Sequence, residues 1–194
     1  MEKTLHIIVE GRYQPWYWMH LDVRAKAKLK DLDRFLRDIW LECCGHLSAF
    51  IIQKERYSSS PDRFGFENSM NFAVGGLLLP GIKCYYEYDF GTPTELVLTV
   101  VSERLSERKG GKKGAPAVQL LARNNAPAIT CLSCGGIATQ VCSWCVCEGG
   151  NAWLCDDCAA EHACGEDYLL LVVNSPRVGI CGYTGPQGIF AVRE

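Results

Sequence analysis

Nine of the twelve cysteines fall in the last 64 residues, and eight of them lie between Cys131 and Cys164. Most keep one spacing: Cys131-x2-Cys134, Cys142-x2-Cys145 and Cys155-x2-Cys158, followed by His162-x-Cys164. A two-residue gap lets both thiolates of a pair reach one tetrahedral ion from a tight turn, so structural zinc sites reuse it. Three such pairs and a His/Cys tail supply eight ligands, enough for two closed zinc sites. An iron–sulfur cluster is the competing reading, because its ligands are of the same type.

A disulfide framework would need an oxidising compartment. The opening Met-Glu-Lys-Thr-Leu-His has no apolar core of the kind a secretory leader carries. No stretch approaches the ~18 apolar residues of a membrane span. The expectation is therefore a cytoplasmic chain whose thiols stay reduced and available to metal.

Charge is unevenly spread. Residues 1–101 carry 12 basic and 13 acidic side chains, residues 102–126 carry 6 and 2, and residues 127–194 carry 2 and 7. No Lys or Arg stands between Pro127 and Leu171. Nucleic-acid binders present cations to phosphate, so the cysteine-rich part is a poor phosphate binder on its own.

The chain divides into an expected domain at 1–126 and a zinc module with a Gly-rich tail at 127–194. Thr4–Glu10 alternates like a half-buried strand, and Trp16–Val23 does so again, with Tyr17, Met19, Leu21 and Val23 sharing a side. From Leu29 the period changes: Leu32, Phe35, Leu36, Ile39, Trp40 and Cys43 predict one long amphipathic helix, with Gly45 just past its end. Leu47–Gln53 reads as a strand, and Tyr57–Gly81 as a long loop. Lys83–Phe90 and Glu95–Val101 flank the hairpin connection Gly91-Thr92-Pro93-Thr94. Glu107–Pro116 reads as a solvated linker, Val118–Ala122 as a further strand and Tyr168–Val173 as an apolar run. The fold class is thus α+β, a mainly antiparallel sheet packed on one long helix, plus a small cross-brace or treble-clef-like zinc module.

Cross-bracing pairs Cys131 and Cys134 with Cys155 and Cys158 at one ion. Cys134-Gly135-Gly136 supplies the glycines a metal knuckle needs, and Cys155 and Cys158 fall on the first turn of a short helix. The second ion takes Cys142, Cys145 and His162. Its fourth ligand is Cys164, or Cys181 from the knuckle-like Gly179-Ile180-Cys181-Gly182-Tyr183; Cys147 would break the two-residue spacing. Sequential pairing of neighbouring pairs stays open. Cys43, Cys44 and Cys84 lie in helix or strand patterns and are read as small buried hydrophobes. With four protein ligands at each ion, no position remains for substrate.

Other constellations are weaker. His46 near Cys44 invites a nucleophile reading but lacks an orienting Asn or Asp, and reads as a helix-end residue. Trp16, Tyr17 and Trp18 form either a base-stacking platform or an aromatic strand packed on a helix. Glu87, Asp89 and Glu95 are read as solvated turn carboxylates.

Pro15-Trp16 leading into Leu21-Asp22-Val23, the helix from Leu32, Gly45-His46-Leu47-Ser48-Ala49-Phe50 and Tyr86-Glu87-Tyr88-Asp89-Phe90-Gly91 together resemble the Ri-plasmid "open reading frame three" family. The resemblance covers about residues 4–101. It implies a compact α+β domain found mainly in bacteria and archaea, with no activity attached. Two departures set the chain apart: Thr92-Pro93-Thr94-Glu95-Leu96 follows the Asp-Phe-Gly element, and the zinc module replaces the family's acidic Cys-Pro-Pro tail. Leu120–Asn124 and Ser175–Tyr183 look like the marks of a subgroup.

The function expected is a non-enzymatic, zinc-stabilised adaptor that binds another protein. The alternative is a nucleic-acid binder using Arg104, Arg108, Lys109, Lys112, Lys113 and Arg123, with zinc only as scaffold.

Overall fold

The computed structural model describes residues 2–62, 65–106 and 116–186. They form two units, Met1–Arg37 with His46–Asn124, and Asp38–Gly45 with Asn125–Glu194. The short segment Asp38–Gly45 thus belongs with the C-terminal part, although it lies far from it in sequence.

The first unit is an eight-stranded sheet made of β1 (Glu2–Gly11), β2 (Trp18–Arg24), β3 (Ser48–Ile52), β4 (Glu55–Ser58), β5 (Asn68–Ser69), β6 (Lys83–Tyr88), β7 (Thr94–Ser106) and β8 (Val118–Arg123). Their order is β5-β4-β3-β6-β7-β1-β2-β8. All neighbours pair antiparallel except the short parallel contact of β4 with β5. Strict alternation explains the core: Leu5, Ile7 and Val9, Met19, Leu21 and Val23, and Leu96, Leu98 and Val100 are all buried on one face. Two register shifts each skip a residue, Val101 on β7 and Leu121 on β8, and both side chains are exposed. An extra residue at such a bulge drops out of the ladder. Replacing Leu21 with alanine is expected to cost about 2–5 kcal/mol, read by chemical denaturation, because it opens a cavity in the centre of this layer.

The expected single long helix does not form. Regular α-helix is confined to α1 (Leu29–Leu36), whose start is capped when the Lys28 N–H donates to the Asp31 carboxylate at 2.9 Å. Residues Arg37–Leu41 then widen into a π turn. Ile39, Trp40 and Leu41 are all buried. Three successive inward positions do not fit the stripe of a 3.6-residue helix, and here the chain passes into the second unit. Gly45 does adopt the left-handed conformation expected of it, φ +79°, but four residues beyond the π turn.

The region expected to be a bare loop, Tyr57–Gly81, contains the end of β4, all of β5 and a one-turn helix α2 (Val74–Leu77). Between β6 and β7, Asp89 takes φ +67°, and its Oδ1 accepts from the N–H groups of Gly91 (3.1 Å) and Thr92 (3.2 Å). That Asx turn is what closes the hairpin. Most of the expected linker, residues 107–115, lies outside the described residues.

The second unit is built on a three-stranded antiparallel sheet, order β10-β9-β11, of β9 (Gln140–Cys142), β10 (Trp153–Leu154) and β11 (Leu169–Leu171). Two short helices, α3 (Ser143–Glu148) and α4 (Asp156–Ala160), and one 3₁₀ turn (Glu166–Tyr168) complete it. Val141, Ala152, Leu154, Ala159, Val178 and Tyr183 are buried. Among the described residues no helix is long and apolar enough to cross a membrane.

Candidate metal centre

The second unit gathers its thiols in the cross-braced grouping. Cys131, Cys134, Cys155 and Cys158 form one cluster, and Cys142, Cys145, His162 and Cys164 the other, with all ligand atoms of each group within 4.8 Å of one another. In the first, the turn after Cys131 is held by Gly135 N–H donating to the Cys131 carbonyl (2.9 Å) and Cys131 N–H to the Gly136 carbonyl (2.7 Å). Gly135 sits at φ +80°, a conformation that a side chain resists. Cys155 and Cys158 enter from the first turn of α4. The Sγ atoms of Cys134 and Cys155 are 3.6 Å apart.

In the second cluster Cys142 ends β9 and caps α3, its sulfur accepting from the Cys145 N–H at 3.5 Å. The Cys145 Sγ lies 3.4 Å from His162 Nε2 and 3.7 Å from Cys164 Sγ. A tetrahedral ion with metal–sulfur bonds of ~2.3 Å has sulfur–sulfur edges of about 3.8 Å. The measured separations match those edges and are far too long for a disulfide of ~2.05 Å. All twelve cysteines are free thiols.

Crowding drives the thiols apart electrostatically. Backbone N–H groups of Cys134 and Cys155 lower Cys131 to about 6, whereas hydrogen bonds with Cys155 and Cys134 raise Cys158 to about 12. In the second cluster desolvation and the Cys142 thiol raise Cys145 to about 12, and Cys142 itself is lowered. In each group one thiol is lowered and a neighbour is raised. A cation is what allows a whole cluster to become thiolate.

Cys164 therefore joins the second cluster and Cys181 does not. Cys147 is exposed and outside both, and Cys84 is buried in the sheet as expected. Cys43 and Cys44 depart from expectation. They are not buried hydrophobes: Cys43 is half-buried and Cys44 exposed, with Sγ–Sγ separations of 3.7 Å from Cys44 to both Cys43 and Cys181. This third group was missed because adjacent cysteines at a helix end resemble an apolar stripe. The signal available was the adjacent pair Cys43-Cys44 together with the Cys181 knuckle.

The other candidates disperse. Tyr17 is buried, 1% exposed, while its neighbour Trp16 is 55% exposed, so the aromatic trio presents no continuous platform. Glu87 pairs with Arg56 at 3.2 Å and Glu95 with Arg12 at 2.6 Å, so both are held in surface ion pairs. Arg104 is on β7 and Arg123 on β8. Arg108, Lys109, Lys112 and Lys113 lie outside the described residues.

Comparison with known proteins locates the architecture. The fold is shared over much of the chain with a solved protein. That protein, from Methanosarcina mazei Go1 and described as of unknown function, superposes with a TM-score of 0.51 at 16% identity, covering 70% of this chain and 76% of its own. At that identity the likeness is one of fold alone. Neither a protein-family model nor a curated protein matches the chain.

Proposed function

We infer that the chain is a non-enzymatic adaptor whose second unit is a recognition module held in shape by Zn²⁺. The observation that carries this reading is closure: each of the two clusters in the zinc module offers four Cys or His donors. A catalytic zinc keeps a position open for water, and these sets leave none. Thiolate and imidazole donors at tetrahedral separations favour zinc over harder ions.

A protein partner suits the surface around these sites. Leu132, Ile137, Trp144, Tyr168 and Leu171 are exposed on the second unit, and Trp144 stacks edge-on against Tyr168 with ring centroids 5.7 Å apart. Exposed aromatic and aliphatic groups with few cations nearby suit an apolar or basic protein surface rather than phosphate. The resemblance to the Ri-plasmid family is in keeping with such a role, since it brings no catalytic motif with it.

Competition between two assays tests the reading. Partner capture that survives high salt, and is lost in the Ile137→Ala/Trp144→Ala double variant with zinc content unchanged, is the expected result. A salt-dependent retardation of nucleic acid, abolished by changing Arg108, Lys109, Lys112 and Lys113 to alanine, would overturn it in favour of phosphate binding.

A further inference from the structure

We propose that Cys43, Cys44 and Cys181, all three in the second unit, form an open three-thiolate site for a soft monovalent cation of the Cu(I) class. This site is distinct from the two zinc clusters of the module and carries a different ion.

The sulfurs are already spaced for one ion. The Cys44 Sγ stands 3.7 Å from that of Cys43 and 3.7 Å from that of Cys181, and all three lie within 4.8 Å of one another. An ion bound at ~2.3 Å spaces three sulfurs about 4.0 Å apart when it lies in their plane, and about 3.8 Å apart at tetrahedral angles. A single cation therefore reaches all three with little movement.

Two bends of the chain bring the thiols together, and both belong to the second unit. At the first, the Gly45 N–H donates to the Glu42 carboxylate at 2.6 Å, closing a turn around Cys43 and Cys44. The second begins at Ser175, whose hydroxyl donates to the Trp40 carbonyl at 2.5 Å and accepts from the Arg177 N–H at 2.9 Å. It continues as Ile180 N–H donates to the Arg177 carbonyl (3.1 Å) and Tyr183 N–H to the Ile180 carbonyl (3.0 Å). Cys181 sits inside this turn at φ +49°, a left-handed value that side chains resist and that clusters at functional positions. A Cβ at Gly179 would meet Val141 Cγ2 of β9 at 3.0 Å, so the tail packs closely on the unit's own sheet. Arg177 donates to the Cys43 sulfur at 3.5 Å, an outer contact of the kind that orients a metal ligand.

The donor set decides the ion. Each module cluster presents four donors, the number a closed zinc site takes. Here the second unit presents three, and all are sulfur. Thiolates select soft cations, and three of them complete the trigonal shell that Cu(I) accepts while leaving zinc one ligand short. Cys44 and Cys181 are exposed and Cys43 is half-buried, so the bound ion is open to an incoming thiol and exchanges by ligand substitution. On binding, three S–H bonds break, three Cu–S bonds form and three protons pass to solvent; no electron is transferred.

Anaerobic titration of the zinc-loaded full chain with Cu(I), supplied as its acetonitrile complex, tests the site. The first equivalent is expected to bind without releasing zinc, and copper-edge X-ray absorption should show three sulfur neighbours. Cys44→Ser and Cys181→Ser should each lower Cu(I) affinity by more than ~100-fold, beyond the ~10–100-fold that loss of an outer contact costs. Zinc content and tryptophan fluorescence should stay unchanged in both, and Cys147→Ser should bind Cu(I) like wild type. A readout on the wild type needs no variant to fold: one equivalent of Cu(I) should protect Cys44 and Cys181, but not Cys147, from alkylation by iodoacetamide, read by mass spectrometry. Zinc release by the first equivalent, unprotected Cys44 and Cys181, or Cu(I) affinity unchanged in both serine variants would overturn the proposal. So would the loss of one equivalent of zinc from each serine variant, which would give these thiols to zinc.

Discussion

Stripping the metal with a strong chelator at neutral pH is expected to unfold the second unit while the eight-stranded sheet stays folded. The strands of the second unit are only 3, 2 and 3 residues long, and its helices have 6 and 5 residues. Elements that short bury little apolar surface and do not persist alone. Zinc contributes ~10–16 kcal/mol of apparent folding free energy in comparable small domains at neutral pH. The sheet of the first unit depends on an apolar layer, from Leu5 to Val100, that contains no ligand of the two module clusters. Trp144 and Trp153 report on the second unit, so their fluorescence should change on chelation while amide exchange in β1, β2 and β7 stays slow. Acidification should mimic the chelator, because protons compete for the thiolates and metal affinity falls with pH. Loss of both units in one transition would show that the metal supports the whole chain.

The second large effect concerns the first unit. Asp33 of α1 is 7% exposed, and its Oδ1 accepts hydrogen bonds from the Ser48 hydroxyl at 2.6 Å and the Tyr86 hydroxyl at 2.8 Å. Its other oxygen lies 3.9 Å from Arg37. These contacts tie the helix to β3 and β6. Tyr86→Phe removes one charge-assisted bond and should cost about 1.5–3 kcal/mol. Asp33→Ala removes the acceptor shared by two buried hydroxyls and the carboxylate beside Arg37, and about 3–5 kcal/mol is expected. The pH dependence carries a second signature. Burial, then the Asp33 charge, pushes the Tyr86 phenol well above its usual 10.0. The folded state thus holds this proton more tightly than the unfolded chain does. Stability from this source is complete below pH 10 and is lost as pH rises beyond it. Tyr86→Phe should flatten that alkaline decline, as followed by denaturant titrations across the range.

Much of the sheet was legible because its signal is local. β1, β2 and β7 each bury one face, and a period of two places Leu5, Ile7 and Val9 without knowledge of their partners. The Cys-x2-Cys pairs are similarly local, and their order suggested alternate pairing while leaving sequential pairing open; the grouping itself is a property of the fold. The long helix was misread because Ile39, Trp40 and Cys43 continue the α1 stripe in sequence while the backbone opens into a π turn. Local periodicity does not reveal which unit a side chain serves. The third cluster was hidden for the same reason. Cys44 and Cys181 are 137 residues apart, and nothing in the neighbourhood of either shows that the chain returns. The bulges at Val101 and Leu121 also escaped notice, since a skipped residue leaves the composition of a strand unchanged.

The assignment of Asp38–Gly45 to the second unit has a consequence during biosynthesis. Trp40 leaves the ribosome 135 residues before Ser175, whose hydroxyl will bond its carbonyl. At ~5–20 residues per second, that interval is on the order of ten seconds. For that time Ile39, Trp40 and Leu41, all buried in the finished molecule, have been made but the tail has not. The nascent chain therefore carries an apolar segment well before the Ser175 that bonds it is made, and transiently exposed apolar surface of that kind is what chaperones at the ribosome engage.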